Sequence, residues 1–348
     1  MPDPAPLPTV VTRLVVAYPS ERDVVAWERR HRDGLVPGQW PYGLGALAGN
    51  GVEVRPIALP EQGRLRRALS RGEEVVQSRT RGAQQKSDEV LLTWDESTAV
   101  RAVGRRTGRE HCSGVIWLTD RPDGRSADAV RRALRGCRAL WTLSSAQVEP
   151  LQRMMGPSGP SVRAVRFGVD HHFFSTHPYP DRPLVVSVGG DRDRDPRTLF
   201  AALEAVHRAR PEVEIVVQSK AGLPVPDGVS VVPHLSHVEL RDLYRRMSVM
   251  VIATGHNLHV SGMTVSLEAR AVGRPVVITG SPGMEDYVSV DDSMVVGTGD
   301  ASALADGVVT LLDDVPLAES MGTAGRHNVV ARHTEAAMCH ELLDVVRG

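Results

Sequence analysis

The chain has 348 residues, of which 41% are hydrophobic and 24% are charged. This length accommodates two domains of ordinary size, each with its own core. The composition is that of a globular protein, and no apolar run approaches the roughly 18 residues that a membrane-spanning helix needs. The first ten residues, MPDPAPLPTV, lack the charged-then-apolar pattern of a signal peptide. We therefore expect a cytoplasmic protein with a short disordered leader.

The cysteines and the charges restrict the chemistry and the partners. Cys112, Cys137 and Cys339 are widely separated and odd in number, which argues against a disulfide framework and against a cysteine-based metal site. Residues 1–180 carry 26 Lys+Arg against 19 Asp+Glu, and the remainder carries 15 against 23. Such a contrast suggests different partners for two domains. The arginine-rich stretch 61–88 is interpreted as a solvated face, or alternatively as a surface for an anionic acceptor or membrane headgroups.

The first half of the chain alternates between short strands and helices. Strands are predicted at 10–18, 52–57, 89–93, 114–119 and 139–143, and helices at 42–48, 97–106 and 125–136. A glycine-rich loop at 37–45 leads into the first of these helices. Alternation of this kind predicts a parallel sheet covered on both faces, with ligands beyond the carboxyl ends of the strands. The polar side chains predicted at those ends are Trp94, Asp95, Glu96, Thr119, Asp120, Ser144 and Ser145.

The string VRFGVDHHFFSTHPYPDRP interrupts this alternation and indicates an interdomain connection, with the boundary near 170–182. The pattern then restarts. Strands are predicted at 184–190, 213–218, 229–235, 249–253 and 293–296, and helices from 196 and at 239–247, 301–313, 317–331 and 335–347. Two similar α/β halves are the simplest account of the chain.

The segment 256–288 carries the strongest chemical signal. A polar loop precedes a short helix that contains Glu268, and a tight turn, a β-branched strand and a Gly/Pro loop follow. Backbone N–H groups and the positive end of a helix dipole can together hold a phosphate. Glu268 lies among apolar residues, so it needs a hydrogen-bonding partner, either a ribose or a backbone or arginine group. We interpret this segment as a nucleotide-diphosphate site.

A second glycine-rich strand end, Gly189-Gly190, is followed by DRDRD. It is neither the GxGxxG dinucleotide fingerprint nor the GxxxxGK[ST] P-loop. In an extended segment, Arg192 and Arg194 would share one side and could stabilise a departing diphosphate. The alternative is a solvated loop with internal ion pairs. His256 and His259 lack carboxylate or cysteine partners at familiar spacing, so we expect no metal.

Several motifs of the second half form a set: SLEARAVGRPVV, SPGMEDYV, GVDHHFF and VSVGG. The set resembles the retaining GT-B glycosyltransferases of the family 4-like group (glycosyl transferases group 1), which includes sucrose synthase and bacterial mannosyltransferases. In their Glu-x7-Glu signature, Glu268 matches the second glutamate, whereas Val260 stands at the first. The family's phosphate-binding Arg/Lys pair is not in register, and Thr119, next to Asp120, replaces a histidine often found there.

The resemblance implies an α/β GT-B fold, in which two Rossmann-like domains face each other across a cleft. Residues 1–175 would bind the acceptor, with the C-terminal helix 333–348 packing back on them, and residues 182–332 would bind a nucleotide sugar. Glu268 would hold the ribose, the backbone near His234 and Leu235 the base, and the 261–264 loop the diphosphate. The candidate catalytic residues are Asp120, Arg192 and Arg194, and the candidate donor-binding residues are Gly38, Gly190, His234, Leu235, Ser261, Gly262, Met263, Thr264 and Glu268.

The resemblance further implies a retaining, metal-independent transferase that uses a nucleoside-diphosphate sugar as substrate and needs no cofactor. The reaction would proceed on one face of the sugar, with the leaving phosphate helping to deprotonate a hydroxyl acceptor. That acceptor would be a small molecule or a glycan, with an anionic one among the options. We expect no nucleic-acid partner and no transmembrane segment, while peripheral membrane contact stays open. The alternatives are a nucleotide-sugar epimerase of the same fold and, because of Val260, a non-catalytic sugar-nucleotide-binding protein.

Overall fold

The computed structural model describes residues 13–60, 89–103, 109–120, 122–123 and 125–348. The predicted leader, the arginine-rich stretch 61–88 and the last residues of the predicted helix 97–106 lie outside this part. The chain divides into two compact units, one of Met1–Arg29, Leu44–Val165 and Cys339–Gly348, the other of Arg30–Gly43 and Arg166–Met338. The domain limits 1–175 and 182–332 stay a prediction.

The first unit is built on a parallel sheet of six strands in the order β2-β1-β3-β4-β5-β6. Helices in the connections cover the sheet, because parallel neighbours need crossover connections. The strands are β1 Arg13–Pro19, β2 Glu53–Leu59, β3 Glu89–Thr93, β4 Glu110–Gly114, β5 Ala139–Thr142 and β6 Ser161–Ala164. The helices are α2 Glu96–Ala102, α3 Arg125–Arg135 and α4 Val148–Met155, with a 3-10 helix at Ser145–Gln147. Helix α1 Val24–Arg32 and a 3-10 helix Pro41–Asn50 lie mostly in this unit and run into the segment Arg30–Gly43 of the other.

The predicted strand at 114–119 is wrong, since the strand is the more polar segment before it, β4. Two polar side chains of β4 are buried because they pair with Thr93 of β3. Thr93 Oγ1 lies 2.9 Å from His111 Nε2 and donates to Ser113 Oγ at 2.8 Å. Residues 116–118 instead form a loop, because all three of their N–H groups donate to the Glu96 carboxylate at 2.7–3.0 Å.

The second unit repeats the architecture with the strand order β12-β11-β10-β7-β8-β9, again all parallel. Its central strands are short, β-branched and wholly buried, as expected where helices cover both faces. The strands are β7 Leu184–Ser187, β8 Glu214–Gln218, β9 Val229–Val232, β10 Val249–Ile252, β11 Val276–Thr279 and β12 Ser293–Val296. The helices are α5 Pro196–Ala209, α6 His237–Arg246, α7 Met263–Ala271, α8 Ala301–Asp313 and α9 Val315–Arg332, with a 3-10 helix at Met284–Asp286. The last helix, α10 Glu335–Arg347, begins in this unit and belongs to the first unit from Cys339 onward.

Each sheet has a point at which the strand order reverses direction. In the first it lies between β1 and β3, and in the second between β7 and β10. Open α/β sheets bind ligands beyond the carboxyl ends of the strands at such switch points. Within the described part of the chain, no helix combines the length and the apolar character that a membrane crossing requires.

Candidate functional site

Two loops meet at the switch point of the second sheet. The arginine loop, residues 188–195, follows β7, and the serine loop, residues 253–262, follows β10, which pairs in parallel with β7. The two loops are joined by an antiparallel bridge, and the Asp195 N–H donates to the Ala253 carbonyl at 3.0 Å. They therefore form one platform at the carboxyl edge of the sheet.

Arg194 lies between the two loops and packs against a glycine of each. Gly189 has φ 96° and Gly262 has φ 89°, a region that side chains rarely adopt. A Cβ on Gly189 would overlap the Arg194 guanidinium, and a Cβ on Gly262 would lie 2.7 Å from Ile252 and 3.5 Å from Arg194. Burial lowers the pKa of Arg194, and the neighbouring Asp191 carboxylate opposes that shift. The glycines thus admit a nearly buried cation beside both loops.

Ser261 directly precedes the N-cap of helix α7, and the protein already engages both of its donors. Its hydroxyl lies 2.7 Å from each oxygen of the Asp191 carboxylate, and its N–H donates to Asn257 Oδ1 at 2.9 Å. Gly262 is the N-cap, and the N–H groups of the first helical turn lack intrahelical acceptors. These groups and the helix dipole favour an anion at this position.

Val260 has an unusual backbone for a branched residue. Its φ is 54°, and its side chain is only 1% exposed. Its carbonyl accepts the N–H of Met263 at 3.2 Å, so one of the predicted phosphate donors bonds within the loop. A β-branched residue in this region is strained, and such strain is concentrated at functional sites.

Glu268 lies within α7 and is 9% exposed. Its partner is the Tyr244 hydroxyl, which donates to Glu268 Oε2 at 2.9 Å. Burial raises the pKa of Glu268 to about 7, and the Tyr244 hydrogen bond opposes that rise. Sequence reasoning anticipated a partner but missed Tyr244, which belongs to another helix; its signal was only an aromatic residue on the apolar side of α6. The Arg194 charge also acts on the Tyr244 hydroxyl, opposing the rise in its pKa that burial causes. Because Tyr244 is bonded to Glu268, this carboxylate is close to the two-loop platform.

The other residues predicted in the second unit are less closely grouped. Gly190 is exposed, with open space where a Cβ would project. Arg192 pairs with Asp193 at 3.0 Å, so the two predicted arginines do not act as one clamp in this conformation. His234 is exposed at the end of β9, with its Nδ1 3.2 Å from Gln218 Nε2, and Leu235 follows it.

In the first unit, Asp120 ends the loop that Glu96 anchors. Glu96 is 4% exposed and accepts the three N–H groups of residues 116–118. Gln147 holds the same loop, donating to the Ile116 carbonyl at 2.8 Å and to Thr119 Oγ1 at 2.7 Å. Asp120 is thus carried on a tightly bonded loop, and its catalytic role stays a prediction.

Gly38 lies in a cluster that sequence reasoning did not identify. Its N–H donates to Asp170 Oδ2 at 2.9 Å, and the Glu335 side chain fills the space beside Gly38 and Gly43. Burial raises the pKa of Glu335 to about 8, and the nearby Asp170 carboxylate adds to the rise. Glu335 was missed because the end of the chain supplies it, and no local motif marks it.

One group of side chains in the second unit can hold a metal ion. Asp191, Asp193 and His259 place their ligand atoms within 4.8 Å of one another, and His259 Nε2 lies 3.6 Å from Asp193 Oδ2. Spacing along the sequence gave His259 no carboxylate partner, whereas the fold brings one from the arginine loop. Ser261 and Arg192 already bond to these carboxylates, which makes the set less open to an ion.

The family described as glycosyl transferases group 1 matches residues 182–314. These residues form a glycosyl transferases group 1 domain. A GDP-mannose-dependent monoacylated alpha-(1-6)-phosphatidylinositol monomannoside mannosyltransferase of Corynebacterium glutamicum is 28% identical over 164 residues, 43% of each chain. The chain therefore matches less than half the length of this relative.

Two solved structures resemble nearly the whole chain. Sucrose-phosphate synthase from Thermosynechococcus elongatus superposes with a TM-score of 0.66 at 17% identity, covering 97% of this chain and 98% of that one. Anabaena HepE, solved in complex with UDP-glucose, gives a TM-score of 0.67 at 12% identity, covering 96% and 99%. Together with the two six-stranded parallel sheets, these similarities confirm the predicted GT-B fold.

Proposed function

We propose that this chain is a retaining, family 4-like glycosyltransferase that moves a sugar from a nucleoside-diphosphate sugar to a hydroxyl acceptor. The observation that carries the proposal is the platform in the second unit. It combines a nearly buried arginine, a helix N-terminus and, inside that helix, a buried carboxylate. The arginine and the helix N-terminus suit the anionic diphosphate, and the carboxylate farther along the helix suits the hydroxyls of the ribose joined to it. The glycosyl transferases group 1 domain and the UDP-glucose complex of HepE support the same reading.

The donor would lie along helix α7. The N–H groups of its first turn, the Thr264 hydroxyl and Arg194 would hold the diphosphate. Glu268 would accept hydrogen bonds from the ribose hydroxyls through Oε1, while Tyr244 holds Oε2. The backbone near His234 and Leu235 would take the base.

The chemistry then needs no enzymatic nucleophile. As the bond between the anomeric carbon and the diphosphate breaks, negative charge grows on the leaving phosphate, and Arg194 would stabilise it. Arg192 would have to leave Asp193 before it could contribute. A leaving phosphate oxygen takes the proton of the acceptor hydroxyl, whose oxygen forms the new bond on the same face. Asp120 is the further candidate catalytic residue. The basic first unit would bind the acceptor.

An assay with a panel of labelled sugar nucleotides, with and without hydroxyl acceptors, tests the proposal. We expect slow release of free nucleotide without acceptor, and with acceptor a product whose anomeric configuration, read by NMR, matches the donor. A changed sugar still attached to the nucleotide would show an epimerase. Binding without turnover across the panel would favour the non-catalytic alternative, which Val260 motivates.

The same assay with EDTA tests metal independence, because Asp191, Asp193 and His259 can hold an ion. We expect the same turnover with EDTA and with added Mn²⁺. If EDTA abolishes the turnover of the wild type and Mn²⁺ restores it, the enzyme needs a metal. If Mn²⁺ restores no turnover in His259→Ala, that metal is assigned to this group.

A further inference from the structure

Asp191 contacts Arg194, which the proposed function assigns to the diphosphate, and Ser261, the first residue of the 261–264 loop predicted to hold it. Ser261 Oγ lies 2.7 Å from each Asp191 oxygen, and Arg194 Nε lies 3.6 Å from Oδ2. The Asp193 N–H also donates to Oδ1 at 3.0 Å. A hydroxyl, a guanidinium and a backbone N–H therefore surround a single carboxylate, the donor types that phosphate oxygens use.

The position of this carboxylate matches that of an external anion. It contacts the residue just before the N-cap of α7, where the helix dipole favours negative charge. Asn257 holds the Ser261 N–H, and the strained Val260 precedes it, so the hydroxyl is fixed in place. The Asp191 side chain is 25% exposed, so it can leave the platform for solvent.

We infer that Asp191 is an internal stand-in for the donor phosphate, which the diphosphate must displace from Ser261 and Arg194. Two anions cannot share these donors without strong repulsion. Only the fraction of molecules in which Asp191 has moved away binds the donor, so Asp191 lowers the apparent affinity by that fraction. This inference rests on the proposed function, and it makes Asp191 the residue that sets donor affinity.

The opposite role is a positioning one, in which Asp191 orients Ser261 and Arg194 for the donor. The two roles predict opposite changes in diphosphate affinity when Asp191 is replaced. Removal of a competing anion tightens the binding of a diphosphate, whereas removal of a positioning group weakens it. Asp191→Asn removes the charge and keeps an oxygen for the Ser261 hydroxyl, and Asp191→Ala removes both.

The test measures the affinity of UDP, GDP and inorganic pyrophosphate by titration calorimetry for the wild type and both variants. If Asp191 occupies the platform in about nine molecules of ten, both variants bind about tenfold more tightly. Asp227→Asn is the matched control, because it removes one negative charge from an exposed position just before β9, at the opposite edge of the sheet. We expect no change in that control, and melting temperatures verify that every variant is folded.

Stopped-flow binding gives a second measurement. A side chain leaves its partners much faster than a nucleotide binds, so the observed rate should rise linearly with nucleotide concentration in both proteins. The association rate constant should be about tenfold higher in Asp191→Asn than in the wild type, because only the open fraction of the wild type binds, and it should be unchanged in Asp227→Asn. Equal association rate constants in the wild type and Asp191→Asn would overturn the inference.

The outcomes separate this inference from the proposed function. If the wild type binds UDP or GDP and neither variant binds more tightly, the stand-in role is wrong and the donor site stands. If no nucleotide binds but the variants gain affinity for pyrophosphate, the stand-in role stands and the donor assignment is wrong. If none of the three probes binds to any protein, both are wrong.

Discussion

Replacing Glu268 by glutamine tests the electrostatics of the site directly. The pKa of this carboxyl rises from 4.5 to about 7 because burial disfavours its ionised form. The folded protein then holds the proton more tightly than the unfolded chain does. The free energy of unfolding therefore falls as the pH rises from about 4.5 to about 7, and it is level above that. The change in pKa corresponds to about 3 kcal/mol.

Glu268→Gln removes this dependence and keeps an oxygen for the Tyr244 hydroxyl. The variant should be more stable than the wild type by less than about 1 kcal/mol at pH 5 and by about 3 kcal/mol at pH 8. Urea unfolding at both pH values measures the difference. Other titrating groups with shifted pKa values, such as Glu335, are present in both proteins and cancel.

The same substitution should weaken nucleotide binding, because an ionised carboxylate is the stronger acceptor for ribose hydroxyls. Glu268→Ala should cost about 1–3 kcal/mol of nucleotide affinity, and wild-type affinity should rise between pH 6 and pH 8. A stability difference that is the same at pH 5 and pH 8 would refute the burial argument. Unchanged nucleotide affinity in both variants would refute the ribose role.

Four further substitutions test other parts of the structure. Gly262→Ala should weaken nucleotide affinity at least tenfold, because a Cβ there is strained and overlaps Ile252, which shifts the N-terminus of α7; unchanged affinity in calorimetry would contradict this. Glu96→Gln should lower the free energy of unfolding by about 1–3 kcal/mol, since three N–H groups lose a full carboxylate; an equal urea midpoint would contradict it. Glu335→Gln should be more stable than the wild type at pH 8.5 and nearly equal at pH 5, because its raised pKa costs stability as the pH rises; a pH-independent difference contradicts this. Val260→Glu should lower the melting temperature without raising turnover, since it buries a carboxylate; a stable, faster enzyme would contradict it.

The fold could be predicted from the sequence because each strand of the second unit is a short β-branched run between turn residues. The predicted strand 293–296 and the predicted helices 301–313 and 335–347 agree with the structure residue for residue. The strand predicted at 114–119 is wrong because an apolar run alone does not make a strand. The backbone N–H groups of residues 116–118 donate to the Glu96 carboxylate instead of to a neighbouring strand. The true strand, β4, is polar and buried, and its pairing becomes visible only once β3 lies beside it.

Part of the candidate site could also be predicted from the sequence, and part of it could not. Arg194, Ser261 and Gly262 could be placed together because neighbouring parallel strands bring their following loops to one edge. The pairs Asp191 with Ser261, Glu268 with Tyr244 and Asp193 with His259 could not, because each joins residues that are distant in sequence. Such pairs depend on side-chain packing, which no local pattern encodes.

Position 260 is an example in which the sequence pattern and the side-chain packing lead to different interpretations. The resemblance treats Val260 as a glutamate that has been lost, which would leave an unfilled contact to the transferred sugar. In the structure the Val260 side chain is 1% exposed, and its φ of 54° is kept although a branched residue is strained there. Strain of this kind persists only where the surroundings over-determine the backbone. Here Asn257 and Asp191 fix the next residue through both of its donors. The serine loop therefore buries the side chain of residue 260, and we expect the contacts that select the donor sugar to come from neighbouring residues.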